Sequence, residues 1–269
     1  MTDRCACRSW MLAAALLVLA LPASAQQTAE KPFEPQVGQA GKDVVWVPTP
    51  QPLVDKMLDM AKVTPQDFVM DLGSGDGRTV ITAARRGARA TGIEYNPKMV
   101  ELSRRNAQTA DVSNRATFQE ADLFTVDLSK ANVITMFLLP SINMKLRPTL
   151  LDLKPGTRVV SNTFTMEDWE ADETQTISGD CSAWCTALLW IIPAKVEGTW
   201  KVGQSQLVLK QRFQVLSGTL GSDTITNGRL RGTEVTFTAG NTTYTGQVEG
   251  NAIKGTIKGG SGGAFTATR

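Results

Sequence analysis

Between residues 47 and 193, short apolar runs of strand length alternate with stretches whose apolar positions recur every three to four residues. Residues 67–72 (Asp-Phe-Val-Met-Asp-Leu) predict a strand that runs through a glycine turn into a helix over 78–86, and a helix over 53–61 precedes them. Residues 89–94 predict a second strand feeding a helix over 97–110, where Pro97 suits the first turn. Further strands are expected over 116–120, 132–138 and 157–163, with a helix over 142–153 and a turn at Lys154-Pro155-Gly156. Strands alternating with helices imply an α/β fold, a mostly parallel sheet with helices on both faces.

After Asp172 the pattern changes. Residues 174–178 and 186–192 read as strands of a hairpin, and beyond Pro193 no helical period remains. A short unit recurs instead: Leu216-Ser-Gly-Thr, Leu230-Arg-Gly-Thr, Tyr244-Thr-Gly-Gln and Ile253-Lys-Gly-Thr. Alternating short strands with glycine between them predict a small all-β meander or barrel. The expected organisation is a sheet domain over 46–193 and an antiparallel β domain over 194–269. Residues 26–45, polar and without apolar period, are expected to be a flexible tether or an arm lying on the first domain, with no visible chemistry.

The first 25 residues read as a signal peptide: Arg4 and Arg8, an apolar run over 10–21, then Pro22-Ala23-Ser24-Ala25. An exported, periplasmic protein is expected, an uncleaved N-terminal anchor being the alternative. Cleavage would remove Cys5 and Cys7 and leave Cys181 and Cys185, a pair that reads as a disulfide in an oxidising compartment. Two cysteines in a chain without histidine are too few ligands for a structural zinc, and no metal is expected. Charge is divided unevenly. Residues 26–193 carry 17 basic and 21 acidic side chains, residues 194–269 carry 9 and 4, so the β domain is the electropositive end and a candidate for contact with anionic surfaces. Nothing in the sequence indicates nucleic acid as a partner.

The chemistry concentrates in Asp71-Leu-Gly73-Ser74-Gly75-Asp76-Gly77, a strand end followed by glycines at alternate positions before a helix. Glycine lets the backbone turn sharply and approach a ligand without a Cβ clash. Glu94 ends the next strand, where a carboxylate can accept hydrogen bonds from both ribose hydroxyls, and Asp122 follows the third. A pyrophosphate would not favour two acids beside its loop, whereas the ammonium and sulfonium of S-adenosylmethionine would.

With Glu94 and Asp122, this motif resembles the class I Rossmann-like, seven-stranded S-adenosylmethionine-dependent methyltransferases, over about residues 46–193. Together with Val47-Pro-Thr-Pro50 and the helix over 53–61 it is similar to the lysine methyltransferases of the ATP synthase c-subunit type and their prokaryotic relatives. The resemblance implies S-adenosylmethionine as cofactor and a binding set of Thr49, Asp71, Gly73, Ser74, Gly75, Glu94 and Asp122. Asp71, Gly73 and Gly75 would line the methionine end, Glu94 would hold ribose and Asp122 would meet adenine. Many amide and base N-methyltransferases carry Asn/Asp-Pro-Pro-Tyr after the fourth strand, but this chain has Phe137-Leu-Leu-Pro140-Ser, which favours an amine such as a protein lysine or a small amine. Candidates for the acceptor slot are Tyr95, Phe137, Leu139 and Pro140. Two other functions stay open: an exported protein that binds an adenosine ligand without transfer, and an adaptor that docks through its basic β domain.

Overall fold

The computed structural model describes residues 1–2, 33–179, 181–260 and 262–269. Apart from Met1 and Thr2, the expected signal peptide lies outside the described residues, as does the arm up to residue 32. Among the described residues no helix is long and apolar enough to cross a membrane.

Strands β1 (Phe68–Leu72), β4 (Val133–Met136) and β5 (Arg158–Asn162) are buried along nearly their whole length, as strands covered on both faces must be. With β2 (Arg89–Glu94), β3 (Ala116–Glu120), β6 (Glu173–Thr176) and β7 (Thr186–Ile191) they form a seven-stranded sheet in the order β3-β2-β1-β4-β5-β7-β6. The five strands from β3 to β5 are parallel, and β7 runs antiparallel to both β5 and β6. The expected hairpin is thus the edge of this sheet.

Helices α1 (Gln51–Met60), α2 (Arg78–Arg85) and α3 (Pro97–Thr109) bury Leu53, Leu58, Val80 and Val100 against one face. Helix α4 (Pro140–Leu151) buries Ile142, Leu146 and Leu150 against the other, beside Trp169 and Trp190. It starts two residues earlier than the apolar period indicates, because Pro140 and Leu139 supply the proline and extended cap of a helix start. Strand β4 is correspondingly shorter than the run over 132–138 suggests, since its parallel ladder ends at the Leu72–Met136 pair.

From Gly198 on, eight antiparallel strands follow one another and close into a barrel: β8 (Gly198–Val202), β9 (Ser205–Arg212), β10 (Val215–Leu220), β11 (Asp223–Arg231), β12 (Glu234–Ala239), β13 (Thr242–Glu249), β14 (Ala252–Lys258) and β15 (Gly263–Thr268). Pairing of Ala267 with Val202 and Thr268 with Lys201 seals it. Trp200, Leu207, Leu209, Phe237 and Phe265 fill the interior. The recurring glycine has a steric reason: a Cβ at Gly218 or Gly255 would sit 1.8 or 2.0 Å from the carbonyl oxygen of Val208 or Thr245 on the neighbouring strand. Such close approach lets the strands bend into a narrow barrel.

The turn between β9 and β10 plugs the barrel into the first domain. Buried Gln214 accepts from the Trp169 indole at 2.9 Å and donates to the Glu170 carbonyl at 2.7 Å, while Phe213 stacks on Trp169. Around this plug Arg229 pairs with Asp172, Arg212 with Asp168 and Lys195 with Asp152. Part of the positive excess of the barrel therefore faces the negative excess of its neighbour.

Candidate functional site

At the carboxyl end of β1 the chain makes a left-handed turn at Gly73, Gly75 and Gly77 (φ 76°, 55° and 83°), a conformation in which side chains with a Cβ are strained. The amides of Gly73 and Ser74 donate to the Ile93 carbonyl at 2.9 and 3.0 Å, which ties the loop to the end of β2. The loop amide of Gly75 donates to Glu94 Oε2 at 3.0 Å, and Asn96 donates to Oε1 at 2.9 Å. The Glu94 carboxylate is thereby fixed against the glycine loop before any ligand arrives. Ser74 is buried, with its hydroxyl lacking a hydrogen-bond partner and packed against the place a Gly92 Cβ would take.

Asp71 is buried one residue before the end of β1, and the Thr135 hydroxyl of β4 donates to its Oδ1 at 2.6 Å. Burial pushes its carboxyl up to about 7, and the nearby carboxylates of Asp76 and Glu94 push in the same direction, against hydrogen bonds from Thr135 and Thr79. Asp76 turns to Arg78, which holds it through Nε and Nη2 and donates from Nη1 to the Thr49 carbonyl at 2.9 Å. The Thr49 hydroxyl accepts from buried Asn162 at 3.3 Å.

Because β3, β2, β1 and β4 are neighbours, Asp122, Glu94, Asp71 and Phe137 stand in a row along one sheet edge, end to end roughly 14 Å at about 4.8 Å per strand. A cavity of about 420 Å³ lies over this row and includes Thr49, Asp71, Gly73, Ser74, Gly75, Glu94 and Asp122 in its wall. The seven residues expected to bind the cofactor are thus brought to one cavity, of a size that holds a small molecule.

The acceptor candidates divide. Phe137 and Leu139 line the β4 end together with Phe164 and Trp184, whereas Tyr95 follows β2, two strand spacings or roughly 10 Å away. Pro140 opens α4 and is not part of the cavity wall. At the other end Lys42 Nζ pairs with Asp122 at 2.6 Å and lies 4.5 Å from the centre of the Tyr95 ring. The Lys42 hydrogen bond holds the Asp122 carboxyl below the usual carboxylate range, and Asp122 in turn raises Lys42. The arm, which shows no chemistry as sequence, contributes Gln39 to Val45 to the wall, and Trp46 lies over the glycine loop, its indole nitrogen 2.6 Å from where a Gly75 Cβ would be. Lys42, Trp46, Phe164 and Trp184 are among the wall residues sequence reasoning missed. Only for Trp184, flanked by the cysteine pair, was there a local signal. Cys181 and Cys185 form a disulfide with a Cα–Cα distance of 5.8 Å. Among the described residues no group of acids and cysteines is arranged to hold a metal ion.

Residues 71–173 match the family model of the ANTKMT methyltransferase domain. Over 133 residues the chain is 44% identical to a protein-lysine N-methyltransferase of Saccharolobus islandicus, a match that spans 48% of this chain and 83% of that protein. The chain belongs to the S-adenosylmethionine-dependent methyltransferases of this family. It is also 38% identical over 107 residues to the mouse lysine N-methyltransferase of the ATP synthase c-subunit, and 38% over 119 to the mouse adenine nucleotide translocase lysine N-methyltransferase. The chain spans about half the length of these mouse methyltransferases, 43% and 52%. A solved structure described as an RNA methyltransferase from Salinibacter ruber, in complex with S-adenosylhomocysteine, is 49% identical with a TM-score of 0.53, covering 56% of this chain and 96% of that one. The family match ends at the first residue of β6, so the barrel of this methyltransferase lies outside it.

Proposed function

We propose that this methyltransferase methylates the side-chain amine of a protein lysine. The observation that carries the reading is the row Asp122, Glu94, Asp71, Phe137 along one sheet edge beneath a single cavity. Its acids suit, in order, an adenine amino group, a ribose diol and an ammonium, and the row ends in apolar and aromatic side chains where an alkyl amine can approach. When bound, S-adenosylmethionine supplies an electrophilic methyl group on its sulfonium. The residues present fit it: the positive-φ glycines leave room beside the loop, and Glu94 is already oriented by two backbone amides while keeping lone pairs for a diol. The chain's own contribution is alignment and exclusion of water at the sulfonium, with Phe137, Leu139, Phe164 and Trp184 forming the mouth through which a lysine enters and sheds its proton to solvent before transfer. The names of the curated relatives support lysine as the acceptor.

The Salinibacter neighbour makes RNA the reading to test against. The cavity wall opposes it. It carries Asp43, Asp71, Asp76, Glu94 and Asp122 against only Lys42 and Arg78, both paired to acids, where a phosphate backbone would need unpaired cations. Barrel residues Lys201, Lys210, Arg231 and Lys258 are exposed and would give an acidic protein a place to dock. The signal-like N-terminus and the Cys181–Cys185 pair support export to the periplasm. Incubation with labelled S-adenosylmethionine, lysine-bearing envelope proteins and RNA tests the assignment. Label on lysine, located by mass spectrometry, is expected; label on RNA alone, or on nothing, would overturn it.

A further inference from the structure

Trp184 combines three features that packing does not explain. It is a large aromatic residue with 43% of its surface exposed, it adopts a left-handed backbone (φ 54°), and it sits within the short loop closed by the Cys181–Cys185 disulfide. A bulky side chain rarely takes that backbone conformation, and residues held in it concentrate where a ligand is gripped. The loop is further fixed to the sheet edge, where Ile177 donates to the Cys185 carbonyl at 2.9 Å. What the loop presents is the indole, edge-on to Phe137 at 6.0 Å, while Phe164 stacks on Phe137 at 5.8 Å. All three line the cavity at its β4 end. Phe137 is one residue past the Leu72–Met136 pair, which puts it level with Gly73.

We propose that Trp184, Phe137 and Phe164 form an aromatic cage that holds the alkylammonium head of the acceptor, with Trp184 the specificity-determining wall and the Cys181–Cys185 loop its mount. The inference rests on the lysine reading above and names how that acceptor is gripped. Aromatic faces attract a cation through the ring quadrupole, most strongly for tryptophan, and the attraction persists as methyl groups replace N–H hydrogens because it needs no hydrogen bond. Phenyl and indole rings offer an N–H no acceptor, so the cage would select by charge and shape and would bind mono-, di- and trimethylated lysine heads alike, the last as product.

The test is calorimetric titration of the full-length protein, saturated with S-adenosylhomocysteine, with an Nε-trimethyllysine peptide and with its neutral isostere bearing a tert-butyl head. The parent should bind the cationic peptide about tenfold or more tightly than the isostere. Trp184→Ala should lose about tenfold in affinity for the cationic peptide, Trp184→Phe should keep most of it, and Cys181→Ser/Cys185→Ser should resemble Trp184→Ala, with affinity for S-adenosylhomocysteine unchanged in all three. Equal binding of cation and isostere, or parental affinity in Trp184→Ala, would overturn the cage; parental affinity in the double serine variant would overturn the mount. Methylation of lysine with no cation preference would remove the cage and leave the proposed function. A tryptophan-dependent cation preference in a protein that methylates no lysine would do the reverse.

Discussion

The Thr135 hydroxyl and the Asp71 carboxylate meet at 2.6 Å across two neighbouring parallel strands, and both side chains are buried. The bond steadies the ionised form of an acid that burial pushes up to about 7. An acid whose folded value lies above its ordinary one keeps its proton in the folded state longer than in the unfolded state. Its contribution is therefore most favourable at low pH and is lost as pH rises from about 4 towards about 7, at most by about 4 kcal/mol. Asp71→Asn should melt above the parent at pH 8, with the difference vanishing near pH 4. The cationic cofactor reverses the preference, so parental affinity for S-adenosylmethionine should rise between pH 5.5 and 7.5, while Asp71→Asn should bind more weakly and without that slope. Scanning calorimetry and titration at each pH decide it; a flat affinity profile in the parent would rule it out.

Glu94 joins the glycine loop to the start of α3, since it accepts from both Gly75 and Asn96. Glu94→Ala leaves those two amides without their acceptor and removes the group proposed to face the ribose. Affinity for S-adenosylhomocysteine should fall by about 2 kcal/mol, roughly thirtyfold. Glu94→Gln, which keeps one acceptor oxygen, should lie between. Parental affinity in the alanine variant would remove Glu94 from the cofactor site.

Much of this site was legible in the sequence, because the residues that make it must lie at strand ends. Asp71, Glu94 and Asp122 follow three consecutive apolar runs, and the parallel order places such positions on one edge. The domain change near Pro193 was equally legible, because the helical period stops there. What could not be read is what long-range folding brings in. Lys42 reaches Asp122 across 80 residues, and Trp46 reaches Gly75 from a stretch without apolar period. Nor does local pattern separate Tyr95 from Phe137, since only the strand order β2-β1-β4 shows that a strand stands between them. The role of Gln214, a polar residue buried in a barrel turn, depends on Trp169 45 residues away.

The Lys42–Asp122 pair fastens the arm across the β3 end of the site, yet both side chains are about one-third exposed. A pair so placed is screened by solvent and holds the arm loosely, so its loss should change how often the arm opens by a factor of roughly five at most. Lys42→Met should accelerate both association and dissociation of S-adenosylhomocysteine by up to about fivefold, with the dissociation constant changed little. Raising salt should bring the parent towards the variant, since screening weakens the same pair. Stopped-flow recording of tryptophan fluorescence, in which Trp46 over the loop is expected to report, gives both rates. Unchanged rates in the variant would show that the arm does not gate the cavity.

The barrel, outside the family match, is tied to the first domain by a buried polar junction. Gln214 takes the Trp169 indole hydrogen and gives one to the Glu170 carbonyl, Phe213 covers the Trp169 ring, and Trp190 donates to the Trp169 carbonyl from beneath at 2.8 Å. Gln214→Ala would strand a buried donor and a buried acceptor together, at a cost of about 2 to 4 kcal/mol. For a protein of this size that corresponds to a fall in melting temperature of roughly 4 to 15 °C. Every residue assigned to the cofactor lies on the sheet edge or, for Thr49, in the segment just before α1, so affinity for S-adenosylhomocysteine below the melting range should not change. Arg229→Ala should cost less than Gln214→Ala, because Asp172 keeps the Ile191 amide as a donor at 2.8 Å when its salt bridge is removed. If Gln214→Ala melts with the parent, the junction is a passive contact and the two domains are stabilised independently. If it melts lower and also loses cofactor affinity, the barrel is coupled to the site through Trp169 and α4, and the two domains do not act separately.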